Sequence, residues 1–319
     1  MKPCVLAILI SCLTLSVPSL TLADTVYTAV VFAADGQTVI LGTHAGIEVR
    51  SWPGLDLVRR LDSGLDAIHD LAFSPDRQWL LVAGGSSGRR GEVECWRWTD
   101  QRVVHRVSCH EDVIMRVAWA PAGTFWVTAS VDSTCQVRSF PGNESLATYT
   151  GHSGPVLTVV CFPDDQTLAS AGVDGTIQVW QRHSAQRLRS LDNHLAGVNS
   201  LVLLPSSHRT QASQVGLGDG PMMVSISEDK SLRLWQPSIG RLVRFVRLSQ
   251  PVCALDVSST GTQLAVATES GEIHVLESPT FTNIYTTRIA ASRIYAIALA
   301  PEGTAALVAG RDCLQRVAW

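Results

Sequence analysis

"GHSGPVLTVVCFPDDQTLASAGVDGTIQVW" occupies residues 151–180 of a 319-residue chain. It reads as three short apolar segments with turn residues between them. "LTVVCF" runs into Pro163-Asp164-Asp165, "TLASAG" into Asp174-Gly175, and "TIQVW" closes on Trp180. Short runs rich in Val, Ile and Thr, bounded by Pro, Asp and Gly, are strands, and Asp-Gly marks a tight turn. The same thirty residues hold His152, Ser170 and Asp174, the residue types of a nucleophilic triad. The rest of the chain decides whether they are chemistry or architecture.

The unit recurs. Strand ends equivalent to Trp180 fall at Arg50, Trp96, Arg138, Trp235, Leu276 and Ala318, so the seven positions are spaced by 46, 42, 42, 55, 41 and 42 residues. The turn after each first strand passes through Ala34, Pro75, Pro121, Pro163, Pro205, Ser259 and Pro301, an independent ruler with nearly the same period. First strands such as "LTVVCF" are apolar almost throughout, as in strands buried on both faces. A fourth strand often follows, as in "LATYT" (146–150) and "RLVRFV" (241–246). Four strands in a period of about 40–45 residues are a propeller blade, which buries its two faces only by stacking against neighbours.

The expected fold is therefore all-β, a seven-bladed β-propeller with units at about 26–66, 67–112, 113–155, 156–197, 198–251, 252–293 and 294–319. The last unit stops on its third strand at Trp319. It is expected to be three-stranded with an open edge, unless residues near 12–20 supply the strand.

Residues 1–23 ("MKPCVLAILISCLTLSVPSLTLA") have a basic start at Lys2, an apolar run, and Thr21 and Ala23 before Asp24. That pattern is an export signal, giving an expected propeller from residue 24 to 319 in the periplasm or outside the cell. "LISC" resembles a lipoprotein cleavage box, but it falls very early, so lipidation at Cys12 is not expected. No later stretch approaches the roughly 20 apolar residues of a spanning helix. Loss of Lys2 takes the net charge from −3 to −4, which argues against a nucleic-acid partner. Six cysteines remain after residue 23, without a C-x-x-C pair, which excludes a zinc ribbon or thioredoxin-type site. Most occupy inward-looking strand positions, where cysteine acts as a small apolar residue.

The stretch 151–180 resembles a repeat of the WD-repeat β-propeller family. It carries that family's Gly-His, its Ser-x-x-x-Asp step and its closing tryptophan. The set His152, Ser170, Asp174, Trp180 returns as His194, Ser225, Asp229, Trp235, and in part as His110, Thr128, Asp132, with Arg138 in place of the tryptophan. A catalytic set has no reason to recur one period later and then decay. The resemblance implies that these residues form a buried hydrogen-bond chain linking loop, strand and turn within a blade, each partner satisfying the next.

Two units depart from the period. Extra residues in "GGSSGRRGEVECW" (84–96) are expected to lengthen a turn that carries Arg89 and Arg90, candidates for contact with an acidic partner. About a dozen extra residues in 206–221 lie on the opposite face. "GLGDG" (216–220) has no helix after it, so it is not a phosphate cradle. The expected function is binding without catalysis or cofactor: a rigid disc presenting loops to a protein or peptide. The alternative is a propeller enzyme with a metal in its central channel. Acids at the starts of the first strands would mark it; Asp70 is one, but those starts mostly hold Ile68, Met115, Val156, Asn199 and Cys253.

Overall fold

The structure, a computed structural model, describes residues 25–205, 220–290 and 293–319. The expected leader with Cys12 lies outside the described residues, as does nearly all of the 206–221 insertion. Among the described residues 27 strands, numbered β1–β27 in chain order, form seven antiparallel sheets. Blades 1 to 6 are β1–β4, β5–β8, β9–β12, β13–β16, β17–β20 and β21–β24, and blade 7 is the three-stranded sheet β25–β27. Within each sheet the strands pair in sequence order, as successive hairpins dictate. No helix among the described residues is long and apolar enough to cross a membrane.

Burial explains the composition of each strand. In blade 4, β14 (Thr167–Gly172) and β15 (Ile177–Gln181) are buried nearly throughout, because neighbouring blades cover both faces. Phe125, Val127 and Val137 of blade 3 pack with Val156, Val159 and Trp180 of blade 4 in one cluster. A fully buried side chain of this kind contributes roughly 1.5–3 kcal/mol. β16 (Arg187–Leu191) is the outer edge of its blade and is exposed except at Leu191.

Each first strand begins with a bulge. In blade 4 the register shifts between Val156 and Thr158, and the other six blades shift at the same place. A bulge turns its extra residue out of the ladder. The residues so released are Thr28, His69, Met115, Leu157, Asn199, Cys253 and Tyr295, and all border a central channel of about 900 Å³. Ile68 and Val156, expected beside the channel, are instead fully buried in the blade cores.

Blades are also stitched to one another around the channel. The Thr28 hydroxyl donates to the Ile68 carbonyl (2.5 Å). Asp70 accepts from the Val117 amide (2.9 Å) and Thr158 from the Leu201 amide (3.1 Å). Asn199 donates to the Val252 carbonyl (2.8 Å), and Asp256 accepts from the Leu299 amide (2.7 Å). Blade 7 meets blade 1 through a bridge between Val26 and Arg311, and through Phe32 and Trp52 packed on Ala298 and Leu307.

Two sequence expectations shift. The extra residues of blade 2 lengthen the strands rather than the turn: the ladder of β6 (Trp79–Ser86) and β7 (Arg90–Arg97) runs on to Ser86 opposite Arg90. In blade 7 the residue equivalent to Trp180 is Val317, not Ala318. Val308, paired with Ile297 as Ser170 is with Val159, faces Gln315, and the turn after Gly310 is one residue shorter.

Candidate functional site

Three blades bring their polar marks together in the same way. In blade 4, His152 Nδ1 lies 2.8 Å from Asp174 Oδ2, and its Nε2 lies 2.8 Å from Ser170 Oγ. Trp180 Nε1 donates to the same Ser170 hydroxyl at 3.1 Å. In blade 5 His194 reaches Asp229 (2.9 Å) and Ser225 (2.7 Å), and Trp235 donates to Ser225 (2.8 Å). In blade 3 His110 reaches Asp132 (2.8 Å) and Thr128 (2.7 Å), while Arg138 donates to the Asn143 carbonyl instead.

All three imidazoles have 0% side-chain exposure, and both ring nitrogens of each are engaged. Ser170 and Ser225 are equally buried. A nucleophile must meet its substrate, and these hydroxyls are sealed from solvent; that of Ser170 also meets Cys135 of blade 3.

The aspartate does a second job. Asp174 Oδ1 accepts from the Thr176 amide (3.0 Å), fixing the turn in which Gly175 takes φ +73°. Its Oδ2 accepts from the Ser153 amide (3.2 Å), the residue after the histidine. Asp132 holds the Glu111 amide (3.1 Å) and Asp229 the Leu195 amide (3.0 Å) in the same fashion. The chain thus fixes three surface residues on one face of the disc.

Burial alone would raise these carboxyls, yet hydrogen bonds from Thr176 and His152 hold Asp174 below the usual carboxylate range. Ser231, Leu195 and His194 likewise hold Asp229 far below it, against burial. Burial lowers the His152 and His194 imidazoles and keeps them neutral, with the aspartates opposing only in part.

Blades 1 and 2 lack the histidine and use a buried glutamate instead. Glu94, with no exposure, accepts from Trp96 Nε1 (3.0 Å), Ser63 Oγ (2.9 Å), the Gly64 amide (2.9 Å) and Arg106. Val82 stands where Ser170 stands in blade 4, so the Trp96 indole needs another acceptor. Glu48 takes Tyr27 Oη (3.3 Å), Arg50 (2.9 Å) and Arg60 (3.1 Å).

In the channel, Arg116 lies 3.6 Å from Asp70 and close enough to Asp256 to stabilise its anion. Burial nonetheless raises both carboxyls, that of Asp256 to about 6. Asp256 was not singled out from the sequence, because "ALDVSS" does not reveal which side of the bulge faces the channel. No cluster of three metal-ligating side chains occurs among the described residues. Arg90 lies 3.1 Å from Glu92 and 4.0 Å from Asp66, which offsets its charge, while Arg89 is exposed at the hairpin tip. The six described cysteines are all free, and burial pushes the Cys95 and Cys135 thiols up to about 12.

Comparison with known proteins agrees with this geometry. The family described as WD domain, G-beta repeat matches at residues 56–96, 101–139 and 143–181. Each matched repeat starts at the outer strand of one blade and ends on the third strand of the next. The guanine nucleotide-binding protein subunit beta of Zea mays is 26% identical over 202 residues, 59% of this chain and 50% of that protein. The B-type cell cycle switch protein ccs52B of Medicago truncatula is 23% identical over 303 residues, 93% of this chain and 58% of that protein. A periodic tryptophan protein 2 homolog of Caenorhabditis elegans is 21% identical over 281 residues, 78% of this chain and 30% of that protein. The chain thus spans about half the length of the first two relatives and less of the third. With its three matched repeats and seven sheets, the chain is a seven-bladed β-propeller that carries WD repeats.

Proposed function

We propose that the chain is a non-catalytic binding propeller acting outside the cytoplasm, and that a protein or peptide partner seats on the face carrying Glu111, Ser153 and Leu195. The observation that carries this reading is Leu195. The residue is 81% exposed, yet its backbone amide is tied to the buried Asp229 carboxylate. Val173, 53% exposed, lies beside Gly197 of the same loop. An apolar anchor already fixed in place loses little entropy when a partner covers it. Protein interaction is the usual work of WD-repeat propellers, and two of the relatives are named as a subunit and as a cell cycle switch protein.

Once a partner is captured by cross-linking, Leu195→Asp is expected to weaken binding tenfold or more, about 1.4 kcal/mol, without changing the melting temperature. Arg89→Ala/Arg90→Ala should weaken an acidic partner in the same assay, chiefly through Arg89. Undiminished affinity in the Leu195 variant would remove this face from the interface.

The export reading rests on the residue pattern of 1–23. N-terminal sequencing of the protein recovered from a secreting host is expected to begin at Asp24. A chain that still begins at Met1 would refute it.

A further inference from the structure

The outer strands turn arginines, and no acids, to solvent along the edge of the disc. β4 (Leu57–Leu61), β8 (Arg102–His110), β12 (Ser145–Tyr149), β16, β20 (Arg241–Arg247) and β24 (Asn283–Arg288) contain no aspartate or glutamate. All but β12 carry arginine, although the whole chain has a net charge of −3. The rim of the disc is therefore cationic on a protein that is otherwise anionic.

Exposed rim arginines without a carboxylate partner are most numerous on blades 4 and 5. β16 presents Arg187, Leu188 and Arg189, all exposed, and β20 presents Arg241, Arg244, Phe245 and Arg247, also exposed. Phe245 is 62% exposed, Leu188 51%, and Ile239 in the turn before β20 58%. The two rims form one surface: Arg189 Nε donates to the Ser238 carbonyl at 3.0 Å, and Gly240 lies against Arg189 and Leu191. On blades 1 and 2 the rim arginines Arg60 and Arg106 reach inward to buried Glu48 and Glu94. Blades 4 and 5 have Gln178 and Arg233 at those positions. Arg187, Arg241 and Arg244 form no ion pair with a carboxylate among the described residues.

Charge on an edge strand also guards against pairing with other chains. That role calls for charge of either sign, and gains nothing from an exposed Phe, Leu and Ile between the charges. Arginines interleaved with protruding apolar side chains, on the convex edge of a disc, match an anionic lipid surface. There guanidinium groups pair with phosphates while apolar groups enter the acyl boundary. We propose that the rim of blades 4 and 5 docks the propeller edge-on against an anionic bilayer, a contact separate from the face that carries Leu195.

The test is co-sedimentation of the full chain with vesicles of 70:30 phosphatidylcholine:phosphatidylglycerol and of phosphatidylcholine alone. Binding is expected only with the anionic vesicles, and is expected to fall in 1 M salt. The triple variant Arg187→Gln/Arg241→Gln/Arg244→Gln should lower the partition coefficient about 100-fold, at about fivefold per arginine. Phe245→Ser should lower it several-fold. Arg102→Gln on the distant rim of blade 2 should leave it unchanged, with equal melting temperatures throughout. Equal binding to both vesicle types, or a triple variant that binds like the parent, would overturn the proposal. So would an inert Phe245→Ser combined with displacement by soluble poly-glutamate, which would make the rim a site for an acidic polypeptide.

Discussion

Glu94→Ala is expected to lower the unfolding free energy by about 3–5 kcal/mol. The carboxylate is fully buried and accepts from Trp96, Ser63, the Gly64 amide and Arg106. Alanine strands the Trp96 indole, the Ser63 hydroxyl and the Gly64 amide, each at about 1–3 kcal/mol before relaxation, while the half-exposed Arg106 turns back to water. Glu94→Gln keeps an acceptor in the same shape and should cost distinctly less. Equilibrium denaturation of both variants measures the difference. A loss below about 1 kcal/mol for the alanine variant would mean that water replaces the carboxylate at no cost, and that blade 2 is held by packing alone.

Asp174→Ala is expected to cost about 1–3 kcal/mol, because it strands His152 Nδ1 and the Ser153 and Thr176 amides. Its pH dependence has a definite sign. His152 and His194 have lowered values in the fold, so below about pH 6.5 the unfolded chain binds protons that the folded chain refuses. Their contribution is present above that pH and is lost as pH falls toward the folded values. The lowered carboxyls of Asp174 and Asp229 act in the same direction, with stability lost as pH falls below about 3.9. Asp256 opposes this trend. Its value is raised to about 6, so its contribution favours the fold at low pH and is lost as pH rises through about 6. Asp174→Ala removes the partner that opposes burial of His152, so His152 is lowered further. The variant should therefore lose at least as much stability as the parent between pH 7 and 5. Identical melting temperatures for variant and parent at pH 7 would dispose of the buried chain as a source of stability.

Blades 3 to 5 were legible because histidine, hydroxyl and aspartate recur there at one period. Blades 1 and 2 were legible only as strands. A glutamate on an alternating third strand, such as Glu48 or Glu94, reads as a solvent-facing residue. The available signal was indirect: Trp96 faces Leu80, and the neighbouring rung pairs Glu94 with Val82 where blade 4 offers Ser170. An indole without its hydroxyl needs an acceptor nearby. The channel was poorly legible for a different reason. The bulge at the start of each first strand changes which residues face inward, so Ile68 and Val156 were expected at the channel and sit in the core. Asp256, which does border the channel, carries no mark in the sequence. The one-residue shift to Val317 came from a turn shortened after Gly310, which strand ends alone do not show.

The buried histidine–hydroxyl–aspartate chain holds one face of the disc in a fixed shape. Amide hydrogen exchange at Ser153, compared between the parent and Asp174→Ala, tests this most directly. The Ser153 amide donates to the Asp174 carboxylate at 3.2 Å. Its protection is expected to collapse in the variant, while amides in the core of β14 keep theirs within the limit set by the lower global stability. Unchanged protection at Ser153 would contradict the account, because the loop would then be held by something other than the chain.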